Sequence, residues 1–487
     1  FHFTSRRGWI NDPNGLMYHA GQYHLFFQHN PYGVRWGNKH WGHAVSTDLV
    51  HWKELPIALY PRGEEDFPLS GSGVVDHENT SGWGKSGRPA MVIAFTSSGR
   101  GECIAYSQDE GVTWKEFDGN PVIKHTGRDP KLLWHSQTKQ WVMAIYSERP
   151  GGDPPAPKRQ GIAFFTSADL KSWRERSWIE GYYECPDLFA LPVDGDANRT
   201  KWVLSCAVGY YCIGEFDGMG FIPESPRLPA PAGGSSNPLG DPPFYAAQTF
   251  NNHPEGHRVQ IAWGRIETAD APFTQLMSFP TRLSLRTTSE GIRLCREPVD
   301  TIRLLRTHTY DFPPGPLTHS PLLAELTGNA WDIEAVINVG TLGTTSAVLM
   351  SIGGDEYVYQ PASQMMSGPK GAMPIPLTDG KLQLRVLVDR TTVEIFGDCG
   401  QAYGMFVRCN PGESAPQPVA PRPRSGRRYR GGSSAWKSGR SRNGSNAGSV
   451  ARVEGRKRAG MLSSHSMAAS SSPAPRQARA AGIPRSR

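Results

Sequence analysis

The chain has 487 residues, 38% hydrophobic and 10% aromatic, which is enough apolar material for more than one cored domain and excludes disorder throughout. Its formal charge of +7 suggests nucleic-acid binding only until it is divided: residues 411–487 hold 16 Lys and Arg against Glu413 and Glu454, whereas residues 1–410 hold 36 basic and 43 acidic groups. Seven cysteines, an odd number, argue against a disulfide scaffold, and no apolar run reaches the roughly eighteen residues of a membrane-spanning helix.

The 54 Gly and 41 Pro interrupt the chain too often for long helices and predict an all-β protein of short strands and tight turns. The chain opens on Phe1 without a charged-then-apolar leader, so its start is expected to lie upstream. An apolar, aromatic strand then recurs five times, beginning at Tyr23, Met91, Trp141, Trp202 and Val259. A Ser-x-Asp…Trp element accompanies the first three copies, at Ser46-Thr-Asp48 to Trp52, Ser107-Gln-Asp109 to Trp114 and Ser167-Ala-Asp169 to Trp173. The period predicts a five-bladed β-propeller over residues 1–295, with its central channel as the substrate site; a β-sandwich with accidental turn repeats is the alternative. From Thr301 the alternation of Trp331-Asp-Ile-Glu-Ala-Val-Ile and Leu382-Gln-Leu-Arg-Val-Leu-Val predicts a second module, a β-sandwich over 301–408. Residues 411–487, rich in Arg, Ser, Gly, Ala and Pro, are expected to be a disordered basic tail.

Three acidic motifs fall in different repeats: Trp9-Ile-Asn-Asp12-Pro-Asn-Gly15, Arg128-Asp129-Pro130 and Glu184-Cys185-Pro186-Asp187. Taken singly, each reads as an ordinary turn or surface ion pair. Together they supply what glycoside hydrolysis needs, two carboxyl groups flanking the scissile bond, one ionised and one carrying a proton. Asp12 is flanked by amide side chains that can donate to a carboxylate, whereas Glu184 follows Tyr182 and Tyr183, an aromatic neighbourhood that disfavours charge. Cys185 suggests a thiol nucleophile, but no partnering His and amide arrangement is evident, and the 15 His residues show no zinc-ligand spacing.

The three motifs, in this order, resemble the β-fructosidases of glycoside hydrolase family 32, the invertases, inulinases and levanases. Phe26-Phe27-Gln28-His-Asn30-Pro31, Trp36-Gly37, Trp41-Gly42-His43, Ser70-Gly-Ser72-Gly, Tyr245-Ala-Ala-Gln248 and Ser278-Phe-Pro280-Thr-Arg282 extend the resemblance over nearly all of residues 1–406. It implies a retaining hydrolase acting on sucrose, inulin or levan, with Asp12 as nucleophile, Glu184 as acid/base and Asp129 as transition-state stabiliser beside Arg128. It implies no metal and no organic cofactor. Asn11, Gln28, Trp36, Trp41, Leu69 and Ser70 are the expected substrate-binding residues, the indoles by stacking on sugar faces. Leu69 stands where many members carry Phe, which removes an aromatic wall from beside the fructose. The Glu184 and Arg128 motifs look most like bacterial levanases and exo-acting fructanases.

Val388-Asp389-Arg390-Thr-Thr-Val-Glu394-Ile-Phe396 resembles the family's C-terminal sandwich, whose last strands are expected soon after Phe406. They are absent there, so the sandwich is expected to be incomplete; the basic tail takes their place in the sequence and reads like an out-of-frame translation, without the aromatic elements of a nucleic-acid arm. Fructosyl transfer on the same three acids, and a dead carbohydrate-binding protein, are the competing readings. Substrates that are polymers outside the cell imply secretion or a periplasmic location. Neither a membrane nor a nucleic-acid partner is expected, and the oligomeric state is left open.

Overall fold

The computed structural model describes residues 1–152, 156–234, 242–268, 271–315, 328–340 and 346–409, and the backbone of two later strands, Pro416–Pro423 and Ser449–Arg456. Among the described residues the regular structure is strand, apart from one 3₁₀ turn at Asp300–Leu305.

The first sheet is an antiparallel meander of Gly8–His19, Gln22–Asn30, His40–Ser46 and Lys53–Leu59. Phe273–Thr274 adds in parallel to Gly8 and Trp9, so a late segment closes onto the first strand. Two further four-stranded meanders follow, Pro68–Asp76 to Lys115–Glu116 and Gly127–His135 to Arg174–Glu180. A fourth meander, Asp187–Val193 to Phe221–Pro223, meets the strands Phe244–Thr249, Arg258–Gly264, Thr281–Thr288 and Gly291–Pro298 through the single parallel pair Val193–Leu285.

Each of the five apolar runs is the second strand of its meander, where burial on both faces demands apolar residues at successive positions. Hydrogen bonding nevertheless merges the last two meanders into one nine-stranded sheet, so five repeats do not divide into five separate sheets. The Ser-x-Asp…Trp element is the turn from third to fourth strand in the first three meanders. Asp48 Oδ1 accepts the amides of Val50 and His51 at 3.0 and 2.8 Å, and Trp52 Nε1 caps the Leu49 carbonyl at 3.0 Å. Asp169 Oδ1 and Trp173 repeat the arrangement, and Asp109 with Trp114 does so with Thr113 as donor.

The second module is one hydrogen-bonded path of twelve strands around a core that includes Trp331, Tyr357, Tyr359 and Phe406. It incorporates Ala232–Gly234, a segment from within residues 1–295 that pairs with Ala402–Val407 and Gly371–Pro374. Within the tail expected to be disordered, Ser449–Arg456 pairs between His308–Gly315 and Ala330–Asn338, and Pro416–Pro423 pairs with Ser346–Ile352. The expectation that the sandwich lacks its last strands is thus corrected, since these two later strands pair into its sheet; the remainder of 411–487 lies outside the described residues. The modules share a core in which Leu387, Phe396 and Tyr403 pack with Phe244 and Phe279. His2 bridges them as well, at 2.8 Å from Asp389 Oδ2 and 2.9 Å from Glu394 Oε1.

Candidate active site

Asp12, Leu69, Ser70, Asp129 and Tyr245 lie on the first strand of a meander, where the ladder is broken, whereas Glu184 and Cys185 lie in the bend just before the strand Asp187–Val193. Between Ile10 and Pro13 the pairing with the second strand slips, which leaves Asn11 and Asp12 in a bulge. Slips at Pro68/Gly71, opposite Ala144/Tyr146, and at Tyr245/Gln248 free Leu69 and Ser70, then Asp129 and Pro130, then Ala246 and Ala247. A bulge turns a side chain out of the sheet's alternation, and proline after Asp12 and Asp129 removes an amide the ladder would use. Asp129, Glu184 and Cys185 have left-handed backbones, with φ of 67°, 51° and 39°. Non-glycine residues hold that conformation when their surroundings over-determine it. The Glu184 turn is fixed by Ala207, whose amide donates to the Glu184 carbonyl at 3.0 Å and whose carbonyl accepts from Ala246 at 2.8 Å. In the first motif Gly15, at φ 57°, leaves room for Phe26: a Cβ there would lie 2.6 Å from its ring.

These strands bring the three acids of the sequence motifs together. The Cys185 thiol reaches Asp12 Oδ2 at 3.7 Å and Asp129 Oδ2 at 3.5 Å, and the Cys185 amide donates to the same Asp129 oxygen at 3.2 Å. Arg128 Nε lies 3.1 Å from Glu184 Oε1 and 3.6 Å from Asp129 Oδ2, and a second guanidinium nitrogen also donates to Glu184. Tyr245 donates its hydroxyl to Glu184 Oε2 at 2.7 Å. Ser70 Oγ donates to Asp12 Oδ2 at 2.5 Å. Burial, then the charges of Asp12 and Glu184, push Asp129 up to about 8, against the opposing Arg128 charge and Cys185 amide. Burial and the same carboxylates hold the Cys185 thiol well above its usual range, which makes it a hydrogen-bond donor rather than a thiolate nucleophile.

The other expected residues separate. Asn11 is buried; its Oδ1 accepts from Trp9 Nε1 at 3.0 Å and from Lys39 Nζ, which leaves the amide nitrogen as its donor beside Asp12. Trp36 is 62% exposed in the loop between the second and third strands, with Lys39 Nζ 4.9 Å from its ring centroid. Gln28 is buried and donates to the Pro68 carbonyl at 3.1 Å, which ties the first meander to the second. Leu69 is half-buried and Ser70 buried. The expectation for Trp41 is corrected: it is wholly buried among Met17, Phe26, Leu59 and Phe95, with its indole nitrogen on the Leu69 carbonyl at 3.0 Å. It packs the meander and supports Leu69 from beneath.

Sequence reasoning missed several residues of the cluster. Tyr245, whose motif alone points to no role, donates to Glu184, and the Arg265 guanidinium lies 3.4 Å from its ring centroid. Lys39 is buried beside Asp12, and desolvation lowers it to about 7 although the Asp12 charge opposes the shift. Lys131 and Asp187 form a wholly buried ion pair at 2.7 Å. Thr249 closes that pair, with its amide on Asp187 Oδ2 at 2.8 Å and its carbonyl accepting from Lys131 at 3.0 Å. Arg-Asp-Pro-Lys131 and Glu-Cys-Pro-Asp187 each end in a charge after the proline, and the two charges are opposite; that was the available signal.

Residues 2–298 match the family model described as the glycosyl hydrolases family 32 N-terminal domain. A levanase of Bacillus subtilis is 35% identical over 82% of this chain, which spans 64% of that enzyme's length. An extracellular exo-inulinase of Aspergillus ficuum is 31% identical over 82% of this chain and 87% of its own. The crystal structure of exo-inulinase from Aspergillus awamori superposes with a TM-score of 0.75 at 27% identity, covering 93% of this chain and 97% of that one. The propeller-and-sandwich architecture, the three acidic motifs and a model match over more than half the sequence place this chain in glycosyl hydrolase family 32.

Proposed function

We propose that the chain is a retaining β-fructosidase that releases fructose from fructans or sucrose, with Asp12 as nucleophile, Glu184 as acid/base and Asp129 as stabiliser of the transition state. The observation that carries this reading is the meeting of three carboxyl groups, from three separate motifs, around one guanidinium and one thiol. The relatives named levanase and exo-inulinase support fructans as the substrate class, and the word extracellular in the latter's name supports action outside the cell.

In the first step a carboxylate oxygen of Asp12 bonds to the anomeric carbon as the bond to the leaving oxygen breaks. The electron pair of that bond passes to the leaving oxygen, which takes the Glu184 proton. In the second step Glu184 takes a proton from water, the water oxygen bonds to the anomeric carbon, and the Asp12 ester breaks with its electrons returned to the carboxylate. Fructose leaves with its configuration retained. Ser70 on Asp12 Oδ2 holds the carboxylate in one orientation, and Tyr245 with Arg128 does the same for Glu184. Asp129 grips fructose hydroxyls through hydrogen bonds that strengthen as the ring becomes oxocarbenium-like.

The test is fructose release from sucrose, inulin and levan by the wild type, Asp12→Ala and Glu184→Ala at matched concentration. Free fructose from the wild type that is lost in both variants supports the reading. A folded wild type that releases none refutes it, and oligofructose products without free fructose replace hydrolysis by transfer or internal cleavage.

A further inference from the structure

The exposed aromatic residues of the first meander lie at one end of its sheet. Tyr32 and Trp36, 73% and 62% exposed, follow the second strand, and Tyr60, 58% exposed, follows the fourth. The register places these positions together: His29 pairs with His40, Trp41 with Leu59, and Trp9 with Asn30, at the end where the first strand approaches Asn11 and Asp12.

The exposed rings rest on buried bases. His40, 3% exposed, meets the Tyr32 ring edge-on at 5.7 Å and the Tyr60 ring at 5.5 Å between centroids. Its Nδ1 is bonded to the Asn38 carbonyl at 2.6 Å, so the imidazole is itself fixed. Lys39, 1% exposed, places its ammonium against Trp36 and also donates to Asn11. Rings held in this way lose little freedom when a ligand stacks on them. Three aromatic faces that are wet, braced from below and at the end of the sheet where the first strand approaches Asp12 suit the C–H faces and hydroxyls of a sugar chain.

We propose that Tyr32, Trp36 and Tyr60 form a platform that holds the fructose units of a polymeric substrate beyond the unit being cleaved. The proposal rests on the β-fructosidase reading and adds the preference for a chain over a disaccharide. Sucrose offers one sugar beyond the scissile bond, whereas inulin or levan continues across the rings.

The test compares the wild type with Tyr32→Ala, Tyr60→Ala and the double variant on sucrose and on long-chain inulin and levan. The expected result is a loss of about three- to tenfold in kcat/KM per ring on a polymer, with sucrose turnover within a factor of about two. Inulin and levan retardation in native gels, run in an Asp12→Ala background, gives a readout without turnover and is expected to fall in the double variant. Equal effects on sucrose and polymers, or none on either, overturn the platform. A dimer that the tyrosine substitutions dissociate, with polymer kinetics unchanged, assigns the rings to a second copy of the chain and overturns it as well. A wild type without fructose release but with tyrosine-dependent retardation removes the hydrolase reading and leaves the platform standing.

Discussion

Asp129 carries the clearest thermodynamic consequence of the site. Its carboxyl is pushed up to about 8 by burial and by two neighbouring carboxylates, whereas an Asp in an unfolded chain titrates near 3.8. Between those values the unfolded chain gives up a proton that the folded chain keeps, so the contribution to stability is fully present below about pH 4 and is lost as pH rises to about 8. The slope is about 1.4 kcal/mol per pH unit, which reaches about 4 kcal/mol at pH 7 and, as an upper bound, about 6 kcal/mol above pH 8. Asp129→Asn removes the charge at constant shape and keeps an oxygen for the Cys185 amide. Thermal unfolding of both proteins at pH 4.5 and pH 8 is the assay. The variant is expected to melt several degrees above the wild type at pH 8, with a much smaller gap at pH 4.5, while fructose release collapses. An equal gap at both pH values, or a variant less stable at pH 8, refutes the reasoning.

Lys131→Met strands the buried Asp187 and is expected to cost about 3–5 kcal/mol in urea unfolding, with much of it recovered by the Lys131→Met/Asp187→Leu double variant. Burial alone would lower His2, but its contacts with Asp389 and Glu394 outweigh this and raise it above 6.5. Its stabilising contribution is therefore present below about pH 6.5 and lost as pH rises through the higher value; His2→Gln is expected to lose less melting temperature than the wild type between pH 5.5 and 8.5. Iodoacetamide under native conditions is expected to label the exposed Cys399 and Cys409 and to spare Cys185, as read by peptide mass spectrometry.

The strand pattern was legible because second strands are buried on both faces and leave unbroken apolar runs, while the Asp and Trp of each turn satisfy backbone groups locally. Asp12 and Asp129 were legible through the prolines that follow them where the ladder breaks, and Glu184 through Pro186, which precedes the first strand of its meander. Other features depend on partners far along the chain. Trp36 and Trp41 share composition and neighbourhood, yet one is exposed and one buried, and only the register of His40–Ser46 against its neighbours separates them. Tyr245 reaches Glu184 across 61 positions, and Lys39 reaches Asn11 from an adjacent hairpin. Ala232–Gly234 is too short to show a period, so its passage into the second module left no mark in the sequence. The tail strands Pro416–Pro423 and Ser449–Arg456 are poor in large apolar residues, and composition argued against them.

In the proposed mechanism Asp12 forms the covalent bond to fructose. Its most direct test is mass spectrometry of peptides from enzyme quenched in acid during turnover of sucrose. A fructosyl adduct is expected on the peptide containing Asp12, and none on the Asp12→Ala protein. An adduct on a different residue, or turnover by Asp12→Ala at the wild-type rate, contradicts this mechanism.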